Sequence, residues 1–174
     1  MGILVNVHQL TKSFGARPLF SKISFSVLEG ERIGLIGPNG AGKSTLLNIL
    51  ASACEADDGT VSFKKGIRIA YLPQIICFCD GATILSSILE GIENKSDAME
   101  VAKAHELFSK LSLSDREVHA LSTPISVLSG GWKKRIALAR ELAKRPDIFL
   151  IDEPTNHLDV ESIIWLEHFL ANAN

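Results

Sequence analysis

Eight consecutive residues, Gly37, Pro38, Asn39, Gly40, Ala41, Gly42, Lys43 and Ser44, followed by Thr45, carry the clearest chemical signal in the chain. They fit the spacing G-x-x-x-x-G-K-[ST], a loop that wraps a polyphosphate. Glycines let the backbone curl until its N–H groups point inward at an anion. A helix opening at the end of the loop adds the positive end of its dipole. Lys43 can reach the β- and γ-phosphates of a bound nucleotide, and the Ser44 hydroxyl can ligate a divalent cation. A second signal is Asp152-Glu153, which follows the apolar run Asp147-Ile-Phe-Leu-Ile151. Acids at the end of a buried strand can stand beside the metal of a nucleotide. Gln74 closes Tyr71-Leu-Pro-Gln74, and Leu128-Ser-Gly-Gly131 opens a helix from Trp132 to Lys144. On its own that last pattern reads as a helix cap.

These residues need a frame. Arg32–Ile36 reads as a short buried strand before the loop, and Ser44–Ala53 as the helix after it. With Asp147–Ile151 it predicts a parallel core sheet. Residues 3–10 and 22–28 read as strands separated by a turn around Gly15–Pro18. Thr60–Phe63 and Ile67–Leu72 predict a hairpin around Lys64-Lys65-Gly66, completing an antiparallel sheet. Ala82–Ile92 and Asp97–Leu111 carry helical spacing, and Ser114-Asp-Arg-Glu117 fits a capping box for a third short helix. Residues 82–127 therefore predict an inserted helical subdomain. Val160–Ala171 predicts a last amphipathic helix.

Composition sets the class. A hydrophobic share of 46% with 22% charged residues describes a globular chain, and a net charge of −2 gives no global pull toward nucleic acid. No apolar run reaches membrane-span length, and the N-terminus has no secretory leader pattern. Asn6 argues against lipidation at Gly2. Three cysteines, Cys54, Cys77 and Cys79, form no framework and point to a reducing cytoplasm.

Taken in order and spacing, the motifs resemble the ATP-binding cassette family from end to end of the chain. Gly37–Ser44 matches its Walker A loop, Gln74 its Q-loop, Leu128–Gly131 its signature, Ile148–Glu153 its Walker B strand and Leu158-Asp159 its D-loop. The run Glu153-Pro-Thr-Asn-His-Leu-Asp159, with Ser129-Gly-Gly-Trp-Lys-Lys-Arg135 before it, resembles the ABC-F subfamily of soluble twin-cassette ATPases that act on ribosomes. Lys12-Ser-Phe-Gly15 near the start is similar to that of a first cassette.

The resemblance implies an α/β P-loop NTPase fold: a RecA-like parallel core sheet, an antiparallel β subdomain and an inserted helical subdomain, with the C-terminal part incomplete across 1–174. It implies ATP and Mg²⁺ as ligands. Phe14 is expected to stack on adenine, and residues 37–45 to hold the phosphates with Lys43. Ser44, Gln74 and Asp152 are expected at the metal, and Glu153 to polarise the attacking water. Ser129, Gly130 and Gly131 are expected to close over the γ-phosphate held by a second cassette, in the same full-length chain or in a homodimer. Asp159 would help tie the two cassettes together. Lys133, Lys134 and Arg135 read as a solvated helix face or as an RNA-facing patch, while Trp132 and Trp165 read as packing residues. The resemblance covers most of one cassette. The last core strands and the family's switch histidine are not matched, since His8, His105, His119, His157 and His168 all stand elsewhere. The interval from Gln74 to Leu128 leaves little room for the long helical arm of some ABC-F proteins. Two alternatives to a ribosomal ATPase stay open: an ATP-binding subunit docked on a membrane permease, and a binding-only fragment without turnover.

Overall fold

Alternating Val, Ile and Phe give the N-terminal part its strands, because branched and aromatic side chains pack well on a pleated surface. The computed structural model describes residues 2–15, 17–92, 98–111, 121–156 and 158–172. It divides into two compact units. One holds residues 2–71 with 147–152, the other 72–146 with 153–172.

In the first unit, β1 (Ile3–Phe14) lies between β2 (Arg17–Leu28) and β3 (Asp58–Phe63), antiparallel to both. Leu4, Val5, Val7 and Leu10 of β1 are buried with Leu46, Ile49 and Leu50 of α1 (Lys43–Leu50). The α1 set follows i, i+3, i+4, which places all three on one face. Phe20 and Phe25 pack on the edge of this core. A second sheet pairs β4 (Ile69–Leu72) with β5 (Ile148–Ile151). Both strands start side by side: the Arg68 carbonyl accepts from the Asp147 and Ile148 amides at 2.8 and 3.2 Å, and Arg68 N–H donates to Asp147 Oδ2 at 2.7 Å. They run the same way, as a parallel ladder requires.

Two expectations about strands are corrected. The hairpin across Lys64–Gly66 does not form, since β3 pairs with β1 and β4 with β5. Apolar alternation marks a strand without naming its partner, and the turn here carries the chain from one sheet to the other. Arg32–Ile36 is not a strand, and Ile33, Leu35 and Ile36 are exposed, the last at 96%. An apolar run becomes a buried strand only where neighbours supply backbone partners on its edges and cover for its faces. Among the described residues no strand pairs with it.

The second unit is helical. Thr83 caps α2 (Ile84–Leu89) in a reciprocal box with Ser86, and Ile84 and Ile88 are fully buried. α2, α3 (Ala98–Leu111) and α4 (Gly130–Ala143) pack on one another. The expected capping box at Ser114–Glu117 lies outside the described residues. α5 (Val160–Asn172) completes the unit and buries Leu166. No helix among the described residues is long and apolar enough to cross a membrane.

Two residues of the basic run after the signature, Lys134 and Arg135, are buried and so belong neither to a solvated face nor to an RNA-facing patch, while Lys133 is half-buried. Arg135 stands with its guanidinium 5.0 Å from the Trp132 ring and 4.7 Å from the Trp165 ring. A weakly hydrated planar cation stacked between two aromatic faces is held by attraction to the rings and by dispersion. The charge count of the run gave no sign of this, because α4 turns the run toward the neighbouring helix.

Candidate functional site

In the first unit the glycine-rich loop feeds α1 directly. Gly42 has φ +91 and serves as the helix N-cap with no side-chain cap. A Cβ there would come within 3.1 Å of Leu19 and of Phe20, so both conformation and space call for glycine. The first turn of α1 carries no acidic side chain. Its N–H groups and dipole therefore face the loop without an internal anion to neutralise them. Lys43 Nζ donates to the carbonyls of Gly37 and Pro38 at 2.9 and 3.1 Å, which folds the ammonium over the loop. Ser44 and Thr45 follow within the same first turn and are half-buried. A donor-rich cradle with a cation above it and no carboxylate in the helix's first turn fits a polyphosphate.

Phe14 ends β1 with 63% of its surface exposed. Lys12 Nζ lies 6.0 Å from its ring centroid and donates to Asp57 Oδ1 at 2.7 Å, while the Ser13 N–H donates to Asp57 Oδ2 at 2.7 Å. Asp57 thus pins the end of the strand that presents the ring. The hydrogen bond from Lys12, then the Ser13 amide, holds the Asp57 carboxyl below its usual range, and Asp57 in turn raises Lys12.

Asp152 follows β5 and is 3% exposed. The Tyr71 hydroxyl donates to its Oδ2 at 3.4 Å. Burial first, and then the carboxylate of Asp152, push the Tyr71 phenol up to about 12, so it remains a donor at neutral pH. Asp152 is therefore a buried acid oriented from one side.

In the second unit, Gln74 and Glu153 are brought together. Gln74 Nε2 donates to Glu153 Oε2 at 2.8 Å, and Asn156 Nδ2 donates to the same oxygen. Glu153 itself has φ +41, a left-handed backbone that a glutamate rarely adopts. Ser129 caps α4, its Oγ accepting from the Trp132 N–H at 3.4 Å. A Cβ on Gly131 would stand 2.2 Å from Ser162 Oγ, so glycine is needed there for close approach of α5. Gly130 precedes it as the first residue of α4. Asp159 caps the other side of that contact: its Oδ1 accepts from the Ser162 N–H at 2.7 Å. The Ser162 amide, then its hydroxyl, hold the Asp159 carboxyl below its usual range. His157 lies outside the described residues.

The sequence reading gave no site role to three residues: Asp57, Tyr71 and Asn156, the last two quoted only within the runs Tyr71–Gln74 and Glu153–Asp159. For Asn156 a signal was available, since an amide three residues after Glu153 can reach back one turn. Tyr71 and Asp57 meet their partners 81 and 44 residues away, which no local pattern reveals.

Comparison with known proteins bears on the family and the fold. A family model described as ABC transporter matches residues 20–156. The chain is 38% identical over 172 residues to the ATP-binding protein Uup of Buchnera aphidicola, covering 96% of this chain and 28% of that protein. It is 35% identical over 187 residues to the energy-dependent translational throttle protein EttA of Escherichia coli, covering 88% of this chain and 34% of that protein. It spans about a third of the length of such curated relatives. Its shape matches a solved ATP-binding cassette of an ABC transporter with a TM-score of 0.81 at 25% identity, over 98% of this chain and 77% of the other.

Proposed function

The chain belongs to the ATP-binding cassette (ABC transporter) family, and on that premise we propose that it binds and hydrolyses ATP as the first cassette of an ABC-F-type ATPase that works on ribosomes in the cytoplasm. The observation that carries the nucleotide part is the open, lysine-covered cradle at Gly37–Ser44. The translational part rests on the likeness to EttA and on the run from Glu153 to Asp159.

A bound Mg²⁺ would neutralise charge on the β- and γ-phosphates, and Ser44, Gln74 and Asp152 are the side chains that would hold it. Lys43 would leave the Gly37 and Pro38 carbonyls for the phosphate oxygens, exchanging neutral acceptors for charged ones. The ring of Phe14 would stack on the base, a contact worth roughly 1–3 kcal/mol. Glu153 would accept a hydrogen bond from the attacking water. Ser129, Gly130 and Gly131 would meet the γ-phosphate held by a second cassette, with the N-terminus of α4 supplying the anion site, and Asp159 would help tie the two cassettes together. Cassette neighbours from transporters support a second reading, an ATP-binding subunit of a membrane permease.

The experiment is phosphate release by this chain across a concentration series. Each oriented donor to developing charge is worth roughly 10²–10³ in rate, so a cassette without its partner's signature turns over far below the median enzyme scale of about 10 s⁻¹. Turnover should rise faster than linearly as two copies pair. Strictly proportional, fast turnover that is insensitive to Ser129→Arg would overturn the twin-cassette reading. Co-sedimentation of the intact protein as Glu153→Gln should recover it with ribosomes; recovery with membranes and a permease alone would favour the transporter.

A further inference from the structure

We propose that Asn156 is the positioning residue of the hydrolytic carboxylate: its side-chain amide holds Glu153 in place when Gln74 turns to the metal. The inference rests on the reading of Glu153 given above.

Three observations meet at one residue. The Glu153 backbone is left-handed at φ +41, a conformation that persists only where its surroundings hold it. Its Oε2 accepts from Gln74 Nε2 at 2.8 Å and from Asn156 Nδ2. The Asn156 N–H also donates to the Glu153 carbonyl at 3.2 Å, closing the turn that carries both side chains. Glu153 is thus bound to Asn156 through backbone and side chain together.

The two amides differ in what else they can do. Gln74 has a second end, its Oε1, which can ligate a cation, and turning that end to a metal would draw Nε2 off Glu153, so its hold on Glu153 varies with the ligand. Asn156 sits three residues along the same turn, and its hold is local. A neutral amide donor orients a carboxylate without protonating it or cancelling its charge. A glutamate has three side-chain torsions and cannot keep a reacting water in line without such a restraint. Asn156 therefore acts on turnover and not on nucleotide affinity, since the phosphate cradle lies in other residues.

The test compares Asn156→Ala and Asn156→Asp with the unchanged chain and with Glu153→Gln, under single-turnover conditions with protein in excess. Phosphate release should fall roughly 10- to 10²-fold in Asn156→Ala, the range expected when a reacting group is misplaced by about an ångström. Asn156→Asp, of equal size but bringing a carboxylate against Glu153, should fall at least as far. Equilibrium binding of a fluorescent ATP analogue should be unchanged in both. The side-chain amide resonance of Asn156 should shift in Glu153→Ala and stay in place when Mg²⁺ and nucleotide are added, while that of Gln74 moves. Full turnover in both Asn156 variants, with Glu153→Gln inactive, would overturn this inference and leave the role of Glu153 standing. Full turnover in Glu153→Gln would overturn the role of Glu153 itself. Loss of nucleotide binding in the Asn156 variants would show a structural role in place of a positioning one.

Discussion

Two helices in this molecule open on a glycine-rich segment, and they finish the helix end in opposite ways. At α1, Gly42 is left-handed and no side chain caps the helix. The helix end is left open, and the lysine that follows folds over backbone carbonyls. At α4, Ser129 caps the helix from within, and Gly131 is required because Ser162 of α5 approaches to where a Cβ would sit. Both glycines make room for a packed neighbour, Leu19 and Phe20 at Gly42 and Ser162 at Gly131; what differs is the cap, absent at α1 and supplied by Ser129 at α4. The N-terminus of a helix favours anions in both places, yet only α1 leaves its orphan donors without a cap. A glycine motif alone does not say which arrangement it serves; the cap and the neighbouring element do.

The contrast can be broken most strongly at Lys43. Lys43→Ala removes a charged donor from the open end and should weaken Mg·ATP binding by about 1.5–3 kcal/mol, roughly 10- to 10²-fold in Kd. Its thermal midpoint should hardly move, because the bonds lost go to loop carbonyls that water can reach. Equal affinity in a calorimetric titration would mean that the α1 cradle is not the phosphate site. Gly131→Ala tests the closed end. The added methyl overpacks the α4–α5 contact and should cost roughly 1–3 kcal/mol of stability with nucleotide affinity intact. Adding Ser162→Ala removes the Oγ atom that clashes and should recover part of the loss in thermal melts. No loss in the single variant would place glycine there for some reason other than packing.

Ser129→Ala sharpens the comparison with a smaller effect. It deletes the cap that α4 has and α1 lacks, and should cost about 0.5–1 kcal/mol, since the 3.4 Å bond is a long one. The smallest effect concerns pH. The Asp57 carboxyl is lowered in the fold, so its contribution is present above the unfolded value near 3.8 and is lost as pH falls toward the folded one. Lys12 is raised, so its share holds below 10.5 and is lost as pH rises through its folded value. The midpoint of thermal unfolding should therefore dip slightly at both extremes. In Asp57→Asn the acid-side dip should shrink, and the two curves should meet once the pH has fallen below the folded value of Asp57.

What the sequence made legible was local. The α1 start, the α4 start and the acids after β5 are set by neighbours within a turn or two, and each stands within two residues of where spacing placed it, α4 opening at Gly130 rather than at Trp132. What it hid was pairing across distance. β3 and β4 alternate as a hairpin would, yet their partners are β1 and β5, because strand pattern reports which face is apolar and not who lies alongside. Arg32–Ile36 has the composition of a buried strand, but burial is supplied by neighbours and none of the described strands lines its edges. Arg135 looked solvated because charge was counted without the two rings that stack on it. At the site, Gln74 and Glu153 were each visible by motif, while their hydrogen bond, spanning 79 residues, came only with the fold.

The stacked Arg135 has an optical consequence. The chain has two tryptophans and one tyrosine. Both indoles flank the same guanidinium in the helical unit, and Tyr71 lies in the sheet unit with its hydroxyl on Asp152. Light absorbed by indole alone therefore samples α4 and α5 of the helical unit. Emission that shifts at a lower denaturant concentration than the circular dichroism of the whole chain would mean that the two units melt separately; superimposed curves would mean that they unfold as one. The arrangement makes the chain's own fluorescence a reporter for one half of the molecule, with no label attached.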